Sequence, residues 1–215
     1  IIEEARGTVV GILVTHTHPD HIGGVGGLAA RTGAPLHAHP LARRYLPGEP
    51  RFAPLDEGDE IAGWRVLYTP GHRPDSLTFY SPENGCAIVG DLVAGSGTVV
   101  IDPSEGDLLE YLGSLRRLRD EIQPRLLAAG HGPLIDDPQS LLTYFIEHRL
   151  ARERLVLEAL SETATPLEEL VPLVYADTSP ALYPLAARSL LTHLVKLQCE
   201  GRAQEIDGGW RSTAD

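Results

Sequence analysis

An α/β fold followed by a small helical module is predicted by three observations. Short apolar runs alternate with helix-like segments between residues 9 and 129. Histidine and aspartate recur just after those runs, at positions 16, 18, 20, 21, 72, 91 and 131. From Pro138 onward the texture changes to long stretches of helical periodicity, closed by a short ribbon. Open sheets tend to place ligands beyond the carboxyl ends of their strands, so the second observation is also a functional signal.

Taken in order, residues 1–6 read as the tail of a helix feeding a strand over 8–14, whose run Val9-Val10-Gly11-Ile12-Leu13-Val14 suits a buried parallel strand. The chain opens on Ile1-Ile2 and contains no methionine, and a segment upstream is expected to be missing. Thr15-His16-Thr17-His18-Pro19-Asp20-His21 follows. These are zinc-type ligands, imidazoles and a carboxylate. In extended chain His16 and His18 point the same way and can share one metal. Pro19 lacks an N–H and is expected to exclude a regular helix here. The tighter turn at Asp20-His21 aims two further ligands beside the first pair, which suggests two ions.

A helix over 21–32 carries Gly23, Gly24, Gly26 and Gly27 at its start, expected to let backbone approach the ligands closely. Residues 35–39 form a short strand on which His37 and His39 share a face as half-exposed polar residues. Residues 43–54 read as a loop with Pro47, Pro50 and Pro54, and 55–61 as a turn entering a strand. The strand over 64–68 runs into Thr69-Pro70-Gly71-His72. Residues 77–80 and 86–89 form a hairpin around 81–85, ending at Gly90-Asp91. Ser104 caps a helix reaching about Glu121, with Leu108, Leu112, Leu115 and Leu118 inward and Arg116, Arg117 and Arg119 solvated. A strand over 125–129 ends at Gly130-His131-Gly132.

Beyond Pro138, helices are expected over 139–161, 166–176 and 184–199, then a hairpin over 201–212 turning at Gly208-Gly209. Three helices and a ribbon resemble a winged helix, so the domains are set at 1–137 and 138–215. The tail is acidic, which favours a packing or dimerisation module, and hence a homodimer, over nucleic-acid binding. His148 and His193 read as surface and core residues, outside the ligand set.

The formal net charge of −12 argues against a simple phosphate-binding surface. It does not exclude nucleic acid, because bound metal adds local positive charge. No apolar run approaches the roughly eighteen residues of a membrane-spanning helix. Cys86 and Cys199 lie far apart with no C-x-x-C pair, and both are expected as reduced core residues of a cytoplasmic protein.

The H-x-H-x-D-H signature of His16, His18, Asp20 and His21 resembles that of the metallo-beta-lactamase superfamily. Thr69-Pro70-Gly71-His72, Gly90-Asp91 with Gly95-Ser96-Gly97-Thr98, and Gly130-His131-Gly132-Pro133 resemble the group of beta-lactamase-like protein 2 and the glyoxalase II-like hydrolases. The resemblance implies an αββα sandwich, here with its amino-terminal strands apparently missing, so that one sheet has an open edge. It implies that His16, His18 and His72 hold one Zn2+, Asp20, His21 and His131 a second, and that Asp91 bridges them. Iron or manganese suits the same ligands. Asp91 excludes the true beta-lactamases, which use other residues at that position. A redox diiron flavoprotein is disfavoured because its first-motif glutamate and flavin domain are absent.

The implied activity is hydrolysis by a metal-bridging hydroxide, with Asp20 and Asp91 as catalytic residues. The substrate is a single-stranded RNA, as in the endoribonucleases of the group, or a small ester or thioester, as in hydroxyacylglutathione hydrolases. Lys196 is the only lysine and no basic cluster is present to hold glutathione, which lowers the strict glyoxalase reading. A non-catalytic metal-binding module is the third reading. Ser96, Thr98 and Arg73 are candidate substrate contacts, and Asp75 a candidate partner that orients a ligand histidine.

Overall fold

A computed structural model describes residues 7–46, 48 and 51–213. The helix tail expected over 1–6, and Pro47 and Pro50, lie outside the described residues. The chain divides into two compact units that do not follow one cut in sequence. The first contains the described residues up to Thr69, together with Asp75–Ser96 and Pro124–Asp136; the second contains Pro70–Pro74, Gly97–Gln123 and the chain from Asp137.

The first unit begins with β1 (Ile12–Leu13), α1 (Pro19–Ile22), α2 (Val25–Thr32), β2 (Leu36–Ala38) and β3 (Phe52–Pro54). These strands form a parallel sheet in the order β1-β2-β3, with Ile12 opposite Leu36 and Leu36 opposite Phe52. The regular part of β1 is much shorter than the expected 8–14, because β2 offers only three residues to pair with. Ile12, Val14, Val25, Leu36 and Ala38 are buried together beneath it. Residues 43–54 are not simply a loop: a 3-10 turn over Pro40–Arg44 precedes β3, whose edge pairing needs little sequence signal. Pro19 does not keep helix out of the ligand cluster. It occupies the first position of α1, where no N–H is required, and Asp20 and His21 sit within that single turn.

The unit's second sheet has the order β4-β5-β6-β7-β8, from β4 (Glu60–Ile61), β5 (Trp64–Tyr68), β6 (Leu77–Ser81), β7 (Cys86–Gly90) and β8 (Leu126–Ala129). The first three pairings are antiparallel and β7-β8 is parallel. Leu55, Val66, Leu77 and Phe79 form the buried cluster on one side, with Leu13 packed against it. The register of β7 against β8 slips between Ile88 and Gly90, so β7 carries an extra residue there. A hydrogen bond from Leu77 N–H to Thr15 C=O, 2.8 Å, ties the chain leaving β1 to the start of β6.

In the second unit, α3 (Leu108–Arg117) is capped by Asp107, which accepts from Glu110 N–H at 2.9 Å. Ser104 is not the cap; its hydroxyl is held by Asp102 at 2.6 Å. The helix ends before Glu121, giving way to a π-helical turn over Leu118–Ile122 closed by left-handed Gln123. Then come α4 (Pro138–Ala159), β9 (Thr165–Pro166), α5 (Leu167–Val174), α6 (Tyr183–Cys199), β10 (Ala203–Ile206) and β11 (Gly209–Ser212). The ribbon turns at Asp207-Gly208, one residue before the expected pair, because both take positive φ (51° and 79°) as a tight two-residue hairpin demands. β9, which sequence periodicity does not reveal, adds to it in the order β10-β11-β9. Val156, Leu170, Leu190, Leu194 and Trp210 lie in this unit's core. Cys199 is exposed at the end of α6 and not in the core, and neither cysteine is in a disulfide. No helix among the described residues is long and apolar enough to cross a membrane.

Candidate metal centre

Six of the predicted ligands belong to the first unit, and its folding brings them together. His16 and His18 lie on the extended segment after β1, Asp20 and His21 on α1, Asp91 directly after β7, and His131 two residues beyond β8. Main-chain bonds hold these loops in place. Val14 N–H donates to His37 C=O at 2.9 Å, Gly130 N–H to Gly90 C=O at 2.8 Å, and Gly95 N–H to His131 C=O at 2.9 Å.

The Asp91 carboxylate is the hub. Its Oδ1 lies 3.2 Å from His21 Nε2, and its Oδ2 lies 3.4 Å from His131 Nε2 and 3.9 Å from His16 Nε2. Asp20 Oδ2 lies 3.2 Å from His131 Nε2 and 3.7 Å from His21 Nε2. His16 Nε2 faces His18 Nδ1 at 3.1 Å. Ligand atoms of Asp20, His21 and His131 all fall within 4.8 Å of one another. Two ring nitrogens at contact distance, surrounded by carboxylate oxygens, need a shared proton or a shared cation. This donor set of imidazole nitrogens and carboxylate oxygens fits a divalent metal. His21 is raised above the ordinary histidine range, chiefly by its hydrogen bond to Asp91, against the opposing effect of burial.

Burial grades across the cluster. The His16 side chain is 1 % exposed, whereas Asp20 and His131 are 57 % and 55 % exposed. One wall is therefore sealed in protein and the other opens to solvent.

Two glycines make the convergence sterically feasible, and they are not those of the 21–32 helix, where Gly24 and Gly27 face open space. A Cβ on Gly130 would lie 2.4 Å from Asp91 Oδ1 and 2.5 Å from His21 Cε1. Gly90 has φ 52°, and a Cβ there would meet Thr15 Oγ1 at 2.7 Å.

Thr17 was not among the expected site residues. It is buried and donates to Asp75 Oδ2 at 2.6 Å. Asp75 thus fixes the chain between His16 and His18 through Thr17. Period-2 geometry is the signal that could have revealed it: with His16 and His18 on one side of the extended segment, Thr17 must face the other. Ser96 is exposed.

The remaining expected residues are described with the second unit. His72 Nδ1 lies 3.1 Å from Val100 C=O, which can only accept, so Nδ1 carries the proton and Nε2 the lone pair. Arg73 is buried and ion-paired with Glu105. Thr98 is exposed, its hydroxyl 3.5 Å from Val99 C=O.

These features define a metal-binding hydrolase fold, and the family profile of the metallo-beta-lactamase superfamily matches residues 1–131. The chain belongs to that superfamily, whose members are typically metal-dependent hydrolases. A second profile, the beta-lactamase associated winged helix domain, matches residues 167–210. Among curated proteins, the chain is similar to a beta-lactamase-like protein 2 homolog of Drosophila melanogaster, 32 % identical over 94 % of this chain and 73 % of the relative. A Caenorhabditis elegans protein of the same name is 32 % identical over 88 % of this chain and 64 % of its own length. An atrochrysone carboxyl ACP thioesterase of Aspergillus fumigatus is 35 % identical over 69 % of this chain and 46 % of that protein. Among solved structures, a metallo-beta-lactamase family protein of Thermus thermophilus superposes with a TM-score of 0.76 and 26 % identity, over 95 % of this chain and 80 % of that one.

Proposed function

We propose that the chain is a dinuclear metal hydrolase in which His16, His18 and His72 hold one divalent ion, Asp20, His21 and His131 a second, and Asp91 both. The observation that carries this reading is the Asp91 carboxylate, with His21 on one oxygen and His16 and His131 on the other. His72 is included because the family resemblance implies it and because Val100 C=O holds its Nδ1, which leaves Nε2 to ligate. Bound there, the ions supply Lewis acidity and activate water at neutral pH. Asp20, on the exposed wall, would accept a hydrogen bond from a water activated there and orient it. Asp75, through Thr17, holds the His16–His18 segment in its ligating conformation.

Zinc is the proposed metal, with iron or manganese as alternatives; one structural relative, 30 % identical over 61 % of this chain, was solved in a di-iron-bound form. The proposed substrate is single-stranded RNA, following the resemblance to the beta-lactamase-like protein 2 group. A thioester is the second reading, supported by the relative named as a thioesterase. Against a glutathione thioester stands Lys196, which is buried and paired with Glu153 and Glu200 at 2.7 Å each. Residues 138–215 are proposed as a winged-helix-like module that mediates packing or dimerisation, and the two free cysteines support a reducing, cytoplasmic setting.

The test is hydrolysis of labelled single-stranded RNA and of S-lactoylglutathione in parallel, with metal content quantified and Asp91→Ala as control. RNA cleavage lost in the control supports the first reading. Thioester turnover alone supports the second. Two bound metals with neither activity would sink both substrate assignments.

A further inference from the structure

A cavity of about 200 Å³ lies within the second unit, between α4, α6 and the segments around Thr98 and Tyr175. Its lining combines apolar Val100, Leu182 and Ala186 with Arg149, Arg152 and Tyr175. The two arginines stand three residues apart on α4, so they share a face.

Their charge balance differs. Arg152 is neutralised by a two-point contact with Asp177, 3.1 Å at each nitrogen, and its guanidinium stacks over Tyr175. Arg149 is 5 % exposed. Its described contacts are uncharged: a bond from Nη2 to Val99 C=O and the Tyr111 ring face 5.6 Å away. Its Nε is buried without a hydrogen-bond partner. Among the described residues no carboxylate lies within ion-pair distance of it. A buried guanidinium without a counter-charge costs several kcal/mol, which an anion can offset. The surrounding groups register the same field: His148, also lining the cavity, is held below the ordinary histidine range by burial and then by Arg149 and Arg152.

We propose that this cavity binds a small carboxylic acid with an apolar body, its carboxylate facing Arg149 and its hydrocarbon part against Val100, Leu182 and Ala186. A planar guanidinium matches a carboxylate bidentately, and the apolar side disfavours a bare, fully hydrated anion. None of the lining residues is a proposed metal ligand, so binding here can be read apart from hydrolysis.

The experiment is an NMR titration of the whole protein with carboxyl-13C hexanoate. Hexanamide and inorganic phosphate serve as matched probes, and Arg149→Gln, Arg149→Lys and Ser189→Leu as variants, each first checked for an unchanged melting profile. Saturable hexanoate binding is expected, with hexanamide and phosphate weaker by at least about tenfold. Arg149→Gln is expected to weaken hexanoate by a similar factor and Arg149→Lys by less. Ser189 also lines the cavity, and Ser189→Leu, which narrows it without altering its charge, is expected to abolish binding. Absence of saturable hexanoate binding overturns the proposal, as does equal affinity for hexanamide. Phosphate binding in preference to hexanoate overturns it too, since the apolar wall would then play no part. If Arg149→Gln proves unstable, the Ser189→Leu and hexanamide arms still decide it.

Discussion

His16 and His193 are equally buried, each 1 % exposed, yet their surroundings are opposite. His16 sits in the first unit with a second imidazole 3.1 Å away and the Asp91 carboxylate beyond it. His193 sits on α6 with neither ring nitrogen hydrogen-bonded among the described residues. Burial and the cations Arg149, Lys196 and Arg152 push it down to about 3. Burial alone therefore does not mark a ligand. Convergence of lone pairs from several loops does, because only a proton or a metal makes such an arrangement stable.

The largest expected break in that comparison is Asp91→Ala. It removes the hub, and we expect both ions to be lost and hydrolysis to fall by about a thousandfold or more, read by metal analysis and turnover. His193→Phe should leave both unchanged. Gly130→Ala comes next: its methyl would sit 2.4 Å from Asp91 Oδ1, so metal affinity should drop by about 10–100-fold in a chelator competition, with little change in secondary structure. Thr17→Val is expected to do less. It deletes the 2.6 Å bond to Asp75, worth on the order of 1.5–3 kcal/mol, and should weaken metal binding by about tenfold.

The smallest effect at neutral pH, and the sharpest contrast with the metal centre, concerns His193. Its folded-state pKa is about 3 against an ordinary value of 6.5, so protonation favours the unfolded chain. The resulting stability is present above about pH 6.5 and is lost as the pH falls toward 3. His193→Phe should be near neutral at pH 7 and should flatten that acid limb in a denaturant-midpoint series. An acid limb as steep as before would assign the pH dependence to other groups.

Much of this was legible in the chain itself. The convergence of His16, His18, Asp20, His21, Asp91 and His131 could be anticipated from sequence because each loop's chemistry is local: an apolar run, then a polar residue where the strand stops. His148 and His193 could be set aside because they fall within helical periodicity, remote from any strand end. What stayed hidden depends on partners distant in sequence. The regular part of β1 is two residues long because β2 is short, and β3 and β9 exist only as neighbours of other strands. Asp107 rather than Ser104 caps α3, a choice between two plausible caps that sequence alone leaves open. Thr17, Gly90 and Gly130 bear on the site through what faces them across space, and Arg149 shows its missing counter-charge only once α4 is folded against its neighbours.

The slipped register between Ile88 and Gly90 has a consequence for how such chains tolerate length change. Strand residues alternate faces, so the extra residue in β7 acts as a phase shift just before Asp91. Were the full-length strand paired with β8 without the bulge, alternation would turn that carboxylate toward the opposite face, even with the sequence unchanged. The hairpin turn at 82–85, by contrast, can gain or lose residues without altering the phase of β7 relative to β8. Drift in length among related chains is therefore expected to accumulate in that turn.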